Sequence, residues 1–220
     1  RIIMGGACLF AGLLLVFILL EPVLKMESTR PQKRTLLVLV DASHSMSISD
    51  QLLAEEDVLE AARILQKAPL DETKKTKNMA PLQKDVAEAS RLDLAKAAIQ
   101  HPEIGIAHKL SGEYEIRYYS FGDRLDPVSG GGESAEVLGD RTADANSSRI
   151  GSAIEEALTR HAGQPLVGIV VLSDFAWIKG SDPIEVARKA KKQGVPIYSV
   201  PFGLPSPPDL KLNRIIAPEV

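Results

Sequence analysis

The chain has 220 residues, 45% of them hydrophobic and 25% charged, with a formal net charge of −3. That is the balance of one good-sized globular domain with accessories, and it lacks the clustered Lys and Arg that neutralising nucleic-acid phosphates requires. The densest basic group, Lys74, Lys75, Lys77 and Lys84, lies in a polar stretch with Asp71 and Glu72 and reads as a solvated loop. A single cysteine, Cys8, excludes an internal disulfide and any cysteine-based zinc site.

The first element is apolar. Ile2 to Leu20 carries no charged residue and as a helix would extend about 28 Å, close to the hydrocarbon thickness of a bilayer. It predicts a transmembrane helix over residues 1–24, favoured over a signal peptide because Glu21, Pro22 and Val23 stand where small residues would mark cleavage. Ala7 and Ala11 form a small-xxx-small pair of the kind that favours helix pairing. Residues 25–34 follow as a juxtamembrane linker containing Pro31, and Lys25, Arg30, Lys33 and Arg34 are a weak cue placing that side in the cytoplasm.

Leu36 to Val40 is a short uninterrupted apolar run that fits a strand covered on both faces, and polarity switches at Asp41. Ser49 or Asp50 is then placed to cap a helix over Gln51 to Lys67, with Val58, Ala61, Ala62 and Leu65 on one face. Leu82 to Gln100 reads as a single further helix ending before Pro102. Tyr114 to Phe121 is a strand turned by Gly122 and Asp123. Gly130, Gly131 and Gly132 make a connection rather than a phosphate-binding loop, since no Gly-Lys-Ser/Thr follows. Arg149 to His161 carries the cleanest amphipathic pattern, Val167 to Leu172 a second buried strand, Asp182 and Pro183 the start of a helix closed by Gly194, and Pro196 to Val200 the next strand. Such alternation, with connections too long for hairpins, implies right-handed crossovers and a mostly parallel sheet covered on both faces. The prolines from Pro201 to Pro208 stiffen the exit, and residues 205–220 read as the start of a following segment.

Candidate chemistry gathers where strands end. Asp41, Ser43 and Ser45 place one carboxylate and two hydroxyls after the first strand, Ser147 and Ser148 precede a helix, and Asp174 lies at the end of a second apolar run. Hard oxygens of this kind at the carboxyl edge of an α/β sheet suit Mg²⁺, Mn²⁺ or Ca²⁺. The same Asp and Ser residues are equally those of a capped turn. His44 is expected to face solvent because its neighbours alternate inward, and His101, His108 and His161 read as surface or capping residues.

The order of these motifs, an apolar run into Asp41-x-Ser43-x-Ser45, a serine shortly before the Gly151-x-Ala153-Ile154 helix, and an apolar run into Ser173-Asp174, resembles the von Willebrand factor type A (vWA) domain with its metal-ion-dependent adhesion site (MIDAS). The resemblance covers about residues 35–204. It implies a Rossmann-like, three-layer, doubly wound sheet. It also implies Mg²⁺ held by Ser43 and Ser45 directly, with Asp41 and Asp174 helping directly or through water. Ser148 falls where the family usually has Thr, with Ser147 or Thr142 as substitutes if the loop is aligned differently. Phe175 departs from the family's common Gly after the second aspartate.

A membrane helix directly before such a domain is similar to a group of bacterial envelope proteins related to aerotolerance proteins, some linked to MoxR-group ATPases, in which the domain faces the extracytoplasmic side. The function expected on these grounds is a membrane-anchored, non-enzymatic interaction module. Its cation would complete its coordination with an acidic side chain from a protein partner, with other membrane proteins or a MoxR-type ATPase system as further partners. A haloacid-dehalogenase-type phosphatase is the enzymatic alternative, but it needs a second Asp where Ser43 stands. A scaffold domain with a decayed metal site is the structural one. A serine-hydrolase elbow lacks its flanking glycines.

Overall fold

The computed structural model describes residues 6, 10–15, 33–52, 54–70, 79–128, 138–139 and 141–203. The chain divides into two compact units, Arg1–Gln32 and Lys33–Val220. In the first unit the expected transmembrane helix is corrected: among the described residues no helix is long and apolar enough to cross a membrane. The membrane anchoring, the extracytoplasmic placement and the membrane partners expected from that helix have no support among the described residues. The rest of residues 1–24, most of the linker, the glycine-rich connection and residues 205–220 lie outside the described residues.

The second unit is organised by β1 (Thr35–Asp41), every residue of which is buried. Its apolar run has no polar face because both faces are covered. β2 (Glu115–Phe121) pairs with it in parallel on one side and β4 (Leu166–Ser173) in parallel on the other. The sheet order is β3-β2-β1-β4-β5, with β5 (Ile197–Pro201) parallel to β4 and a short β3 (Leu125–Pro127) antiparallel to β2. Among the described strands only β3 lacks a signal in the sequence; three residues after a turn carry too little periodicity to register.

Alternation along the strands sorts side chains into two layers. Leu37, Leu39, Tyr119, Phe121, Ile169 and Val171 pack against α5 (Ile150–Arg160) and α6 (Pro183–Lys192). Leu36, Val38, Val40, Tyr118, Val170 and Leu172 face α3 (Arg91–Gln100) through Leu92, Ala95 and Ile99. The result is the three-layer, mostly parallel architecture of a Rossmann-like, vWA-type fold. A satellite cluster joins α1 (Glu55–Ile64) to α2 (Met79–Glu88) through Val58, Ala61, Ala62, Leu82 and Val86.

Helix boundaries bring two corrections. The single helix expected over Leu82 to Gln100 is two, because Ser90 starts afresh: its hydroxyl accepts from the Asp93 N–H at 3.1 Å while the Asp93 carboxylate accepts from the Ser90 N–H at 3.1 Å, a reciprocal cap. α1 begins only at Glu55, with Ala54 as its N-cap. Neither Ser49 nor Asp50 serves there, and Asp50 is engaged elsewhere. A short α4 (Ile106–Leu110) leads into β2. α6 starts as expected, Asp182 accepting from the Ile184 N–H at 2.8 Å with Pro183 inside the first turn.

Candidate functional site at the carboxyl edge

β1 lies between β2 and β4, and the chain runs on from β1 to β2 but from β4 the opposite way to β5, so the carboxyl ends of β1 and β4 flank a topological switch point. Val40 is opposite Leu172 in the parallel register, which brings Asp41 beside Ser173. Past β1, the His44 N–H donates to the Ala145 carbonyl at 2.8 Å and the Ala145 N–H to the Ala42 carbonyl at 3.0 Å. This bridge fixes the strand-like segment that delivers Ser147 and Ser148 to the start of α5. Gly151, in that helix's first turn, is required by packing: a Cβ there would lie 1.9 Å from the Ser181 carbonyl oxygen. The Gly-x-Ala-Ile signature is therefore a close approach of α5 to the loop before α6.

Asp41 is completely buried. Its Oδ1 accepts from the Ser43 N–H at 2.8 Å, and its Oδ2 accepts from the Ser148 hydroxyl at 2.9 Å and the Ser173 hydroxyl at 2.5 Å. Burial pushes this carboxyl above its ordinary range, and the bonds from Ser173, Ser43 and Ser148 oppose the shift. The Ser43 and Ser45 hydroxyls lie 3.0 Å apart. Of the three hydroxyls weighed for the helix-entry position, Ser148 is the one at Asp41. Ser147 donates to Asp123 at 2.6 Å and Thr142 to Asp144 at 3.1 Å.

Asp174 is placed differently. Its Oδ2 accepts from Nη1 of Arg91 at 3.0 Å and its Oδ1 from the Ala176 N–H at 3.1 Å. Arg91 in turn grips Asp50 with Nε and Nη2, at 2.6 and 2.7 Å. The five expected residues thus fall into two groups, and alternation is the reason. Asp41 and Ser173 continue the rows of Leu37, Leu39 and Ile169, Val171 on the α5 side, whereas Asp174 continues the row of Val170 and Leu172 on the α3 side.

This overturns the MIDAS as expected. Among the described residues there is no group of three or more His, Cys, Asp or Glu placed to hold a metal ion. Asp41 spends its oxygens on three internal donors, and Asp174 already carries a guanidinium. In this arrangement neither carboxylate is without internal partners. Ser43 also stands where a phosphatase of the haloacid dehalogenase type would carry its second acid, and its N–H serves Asp41 instead.

Phe175 adopts φ 57°, the left-handed conformation that glycine takes without strain. The Phe175 N–H donates to the Ser173 hydroxyl at 2.9 Å, so one serine ties the turn to Asp41. Ser173, Arg91 and Asp50 are the participants that sequence reasoning left out of the site. Ser173 was in plain view beside Asp174; Arg91 and Asp50 had no local signal, being 41 residues apart from each other and, for Arg91, 83 from Asp174. His44 is exposed, as expected, and so is His108. His101 and His161 are capping rather than surface residues: both are buried C-caps, of α3 and α5, His101 Nδ1 accepting from the Glu103 and Ile104 N–H groups and His161 Nε2 lying 2.8 Å from the Tyr119 hydroxyl.

No family model matches the chain, and no curated protein matches it. Among solved structures it is similar to an aerotolerance-related membrane protein from Bacteroides fragilis NCTC 9343 with multiple mutations to serines, at 18% identity over 84% of this chain and 77% of that one, with a TM-score of 0.50. It is also similar to the conserved hypothetical protein BatB from Bacteroides thetaiotaomicron, at 16% identity over 76% of this chain and 66% of that one, with the same TM-score. Proximal thread matrix protein 1 of the mussel byssus, in a structure with a zinc-occupied MIDAS motif, superposes at a TM-score of 0.40 with 12% identity, over 76% of this chain and 37% of that one. At these identities the likeness is one of fold alone.

Proposed function

We propose that the chain is a non-catalytic protein-interaction module of vWA-like fold whose working face is the carboxyl edge of its sheet. The observation that carries this reading is the loop after β4. Phe175, Trp177 and Ile178 are 36%, 48% and 67% exposed, three large apolar side chains within four positions. Clustered apolar exposure of this kind marks contact surfaces, and aromatic anchors contribute most of the energy of such contacts. The loop is set in place from beneath: Ser173 and Asp174 accept from the N–H groups of Phe175 and Ala176, and the Trp177 N–H donates to the Phe175 carbonyl at 2.9 Å. A preformed loop loses less entropy on binding. On the β2 side of the same edge, a groove of about 610 Å³ is lined by Ala42, Asp123, Arg124 and Asp144 among others, supplying the polar border typical of an interface.

Asp41, Ser43, Ser45, Ser148 and Asp174 then form the polar floor that positions this face. Mg²⁺, or Mn²⁺ or Ca²⁺, is the ion their hard oxygens would take once Asp174 is free of Arg91. The test is affinity capture from an extract of the source organism with the full chain, against a variant carrying Phe175→Ser, Trp177→Ser and Ile178→Ser. Proteins held by the wild type and lost from the folded variant support the reading. An identical set from both, with unchanged circular dichroism, overturns it.

A further inference from the structure

The misfit between this edge and a divalent cation has a specific cause. Arg91 is the first residue of α3, where the helix dipole disfavours a positive charge. It sits there nonetheless with its side chain only 15% exposed, between Asp50 at 9% and Asp174 at 6%. Both terminal edges of its guanidinium are used: Nε and Nη2 take the two oxygens of Asp50, while Nη1 takes Asp174 and approaches the Ser45 carbonyl oxygen at 3.4 Å. The backbone is tied as well, the Arg91 N–H donating to the Ile48 carbonyl at 3.0 Å. Chain leaving β5 closes over the group. Gly203 has φ 115°, and a Cβ on it would lie 3.1 Å from Cζ and Nε of Arg91.

We propose that the Arg91 guanidinium is the resident cation of this carboxyl edge: it holds the loops after β1 and β4 together through Asp50, Ser45 and Asp174, so the domain is complete without a metal ion. This deepens the reading of the edge as an interaction face and rests on it. Two positive charges cannot share Asp174 without strong repulsion in a site this dry, so guanidinium and divalent ion exclude one another. The guanidinium is always protonated and its fork matches two carboxylates, which makes it a permanent substitute rather than a titrating one.

Calorimetric titration of MgCl₂ and MnCl₂ into the full chain tests the proposal, comparing wild type with Arg91→Gln. The variant is expected to bind at least about tenfold more tightly than wild type, a gain abolished in Arg91→Gln/Asp41→Ala, and to recover thermal stability on adding Mg²⁺ while wild type does not. Equal affinity in wild type and variant, or no binding by the folded variant, overturns it. Should Arg91→Gln not fold, Asp50→Asn loosens the same grip from its far side. It is expected to shift Mg²⁺ affinity in the same direction by a smaller factor, and wild-type affinity in folded Asp50→Asn overturns the proposal. Partner capture by the Phe175, Trp177 and Ile178 loop is read in a separate assay, so either idea can fail alone.

Discussion

Asp41 ends β1 and Asp174 directly follows the adjacent parallel β4, after nearly identical apolar runs, yet the fold treats them in opposite ways. Asp41 faces the α5 layer, sealed from solvent, and its charge is answered only by an N–H group and two hydroxyls. Asp174 faces the α3 layer and meets a full positive charge that is itself held by a third carboxylate. A strand-end aspartate is therefore not one kind of site. The side of the sheet on which it emerges decides which partners reach it, and here those partners come from segments far away in the chain.

The contrast can be broken by substitution, and the largest effect is expected on the Asp174 side. Arg91→Ala leaves two poorly solvated carboxylates facing each other, and is expected to destabilise the domain by about 3 kcal/mol in urea unfolding. A loss below about 1 kcal/mol would mean that the pair behaves as an ordinary surface ion pair. Asp41→Ala strands three donors in a buried site and is expected to cost about 2 kcal/mol, with Asp41→Asn costing less because one acceptor oxygen remains. If Asp41→Asn proves the worse of the two, the charge itself and not the hydrogen bonding holds the β1 end.

Ser173→Ala sharpens the comparison further, since this hydroxyl serves both Asp41 and the Phe175 turn. A loss of about 1 kcal/mol is expected, together with faster amide exchange at Phe175, and unchanged exchange there would detach the turn from Asp41. The smallest effect concerns Phe175. Phe175→Gly relieves the left-handed backbone and is expected to be neutral or stabilising by up to about 1 kcal/mol, whereas Phe175→Val, β-branched at positive φ, is expected to destabilise by about as much. Thermal unfolding of the pair checks the sign, and two losses of equal size would show that the aromatic ring matters more than the backbone.

Much of this architecture is legible in the chain itself. Leu36 to Val40 and Val167 to Leu172 have no polar positions, which only a strand covered on both faces tolerates, and the Ile150, Ala153, Ile154, Ala157, Leu158 stripe fixes α5. The motif order places Asp41, Ser43, Ser45 and Ser148 at one edge, because chain order and parallel pairing together dictate which strand ends meet. Reading went wrong where local pattern is silent or misleading. The apolar stretch from Ile2 to Leu20 has a composition suited to a membrane, but among the described residues no helix reaches the length needed to cross one. Leu82 to Gln100 looks continuous because Ser90 costs a helix little by propensity, and only its reciprocal cap with Asp93 reveals the break.

Sequence alone thus determined the elements, the mostly parallel sheet and the gathering of oxygens at its carboxyl edge, since periodicity and strand ends are local properties. Tertiary structure alone decided what those oxygens face. Asp50, Arg91 and Asp174 become neighbours only after the sheet and α3 are packed, and electrostatic partnership depends on distance in space and loss of water, neither of which is written in the order of residues.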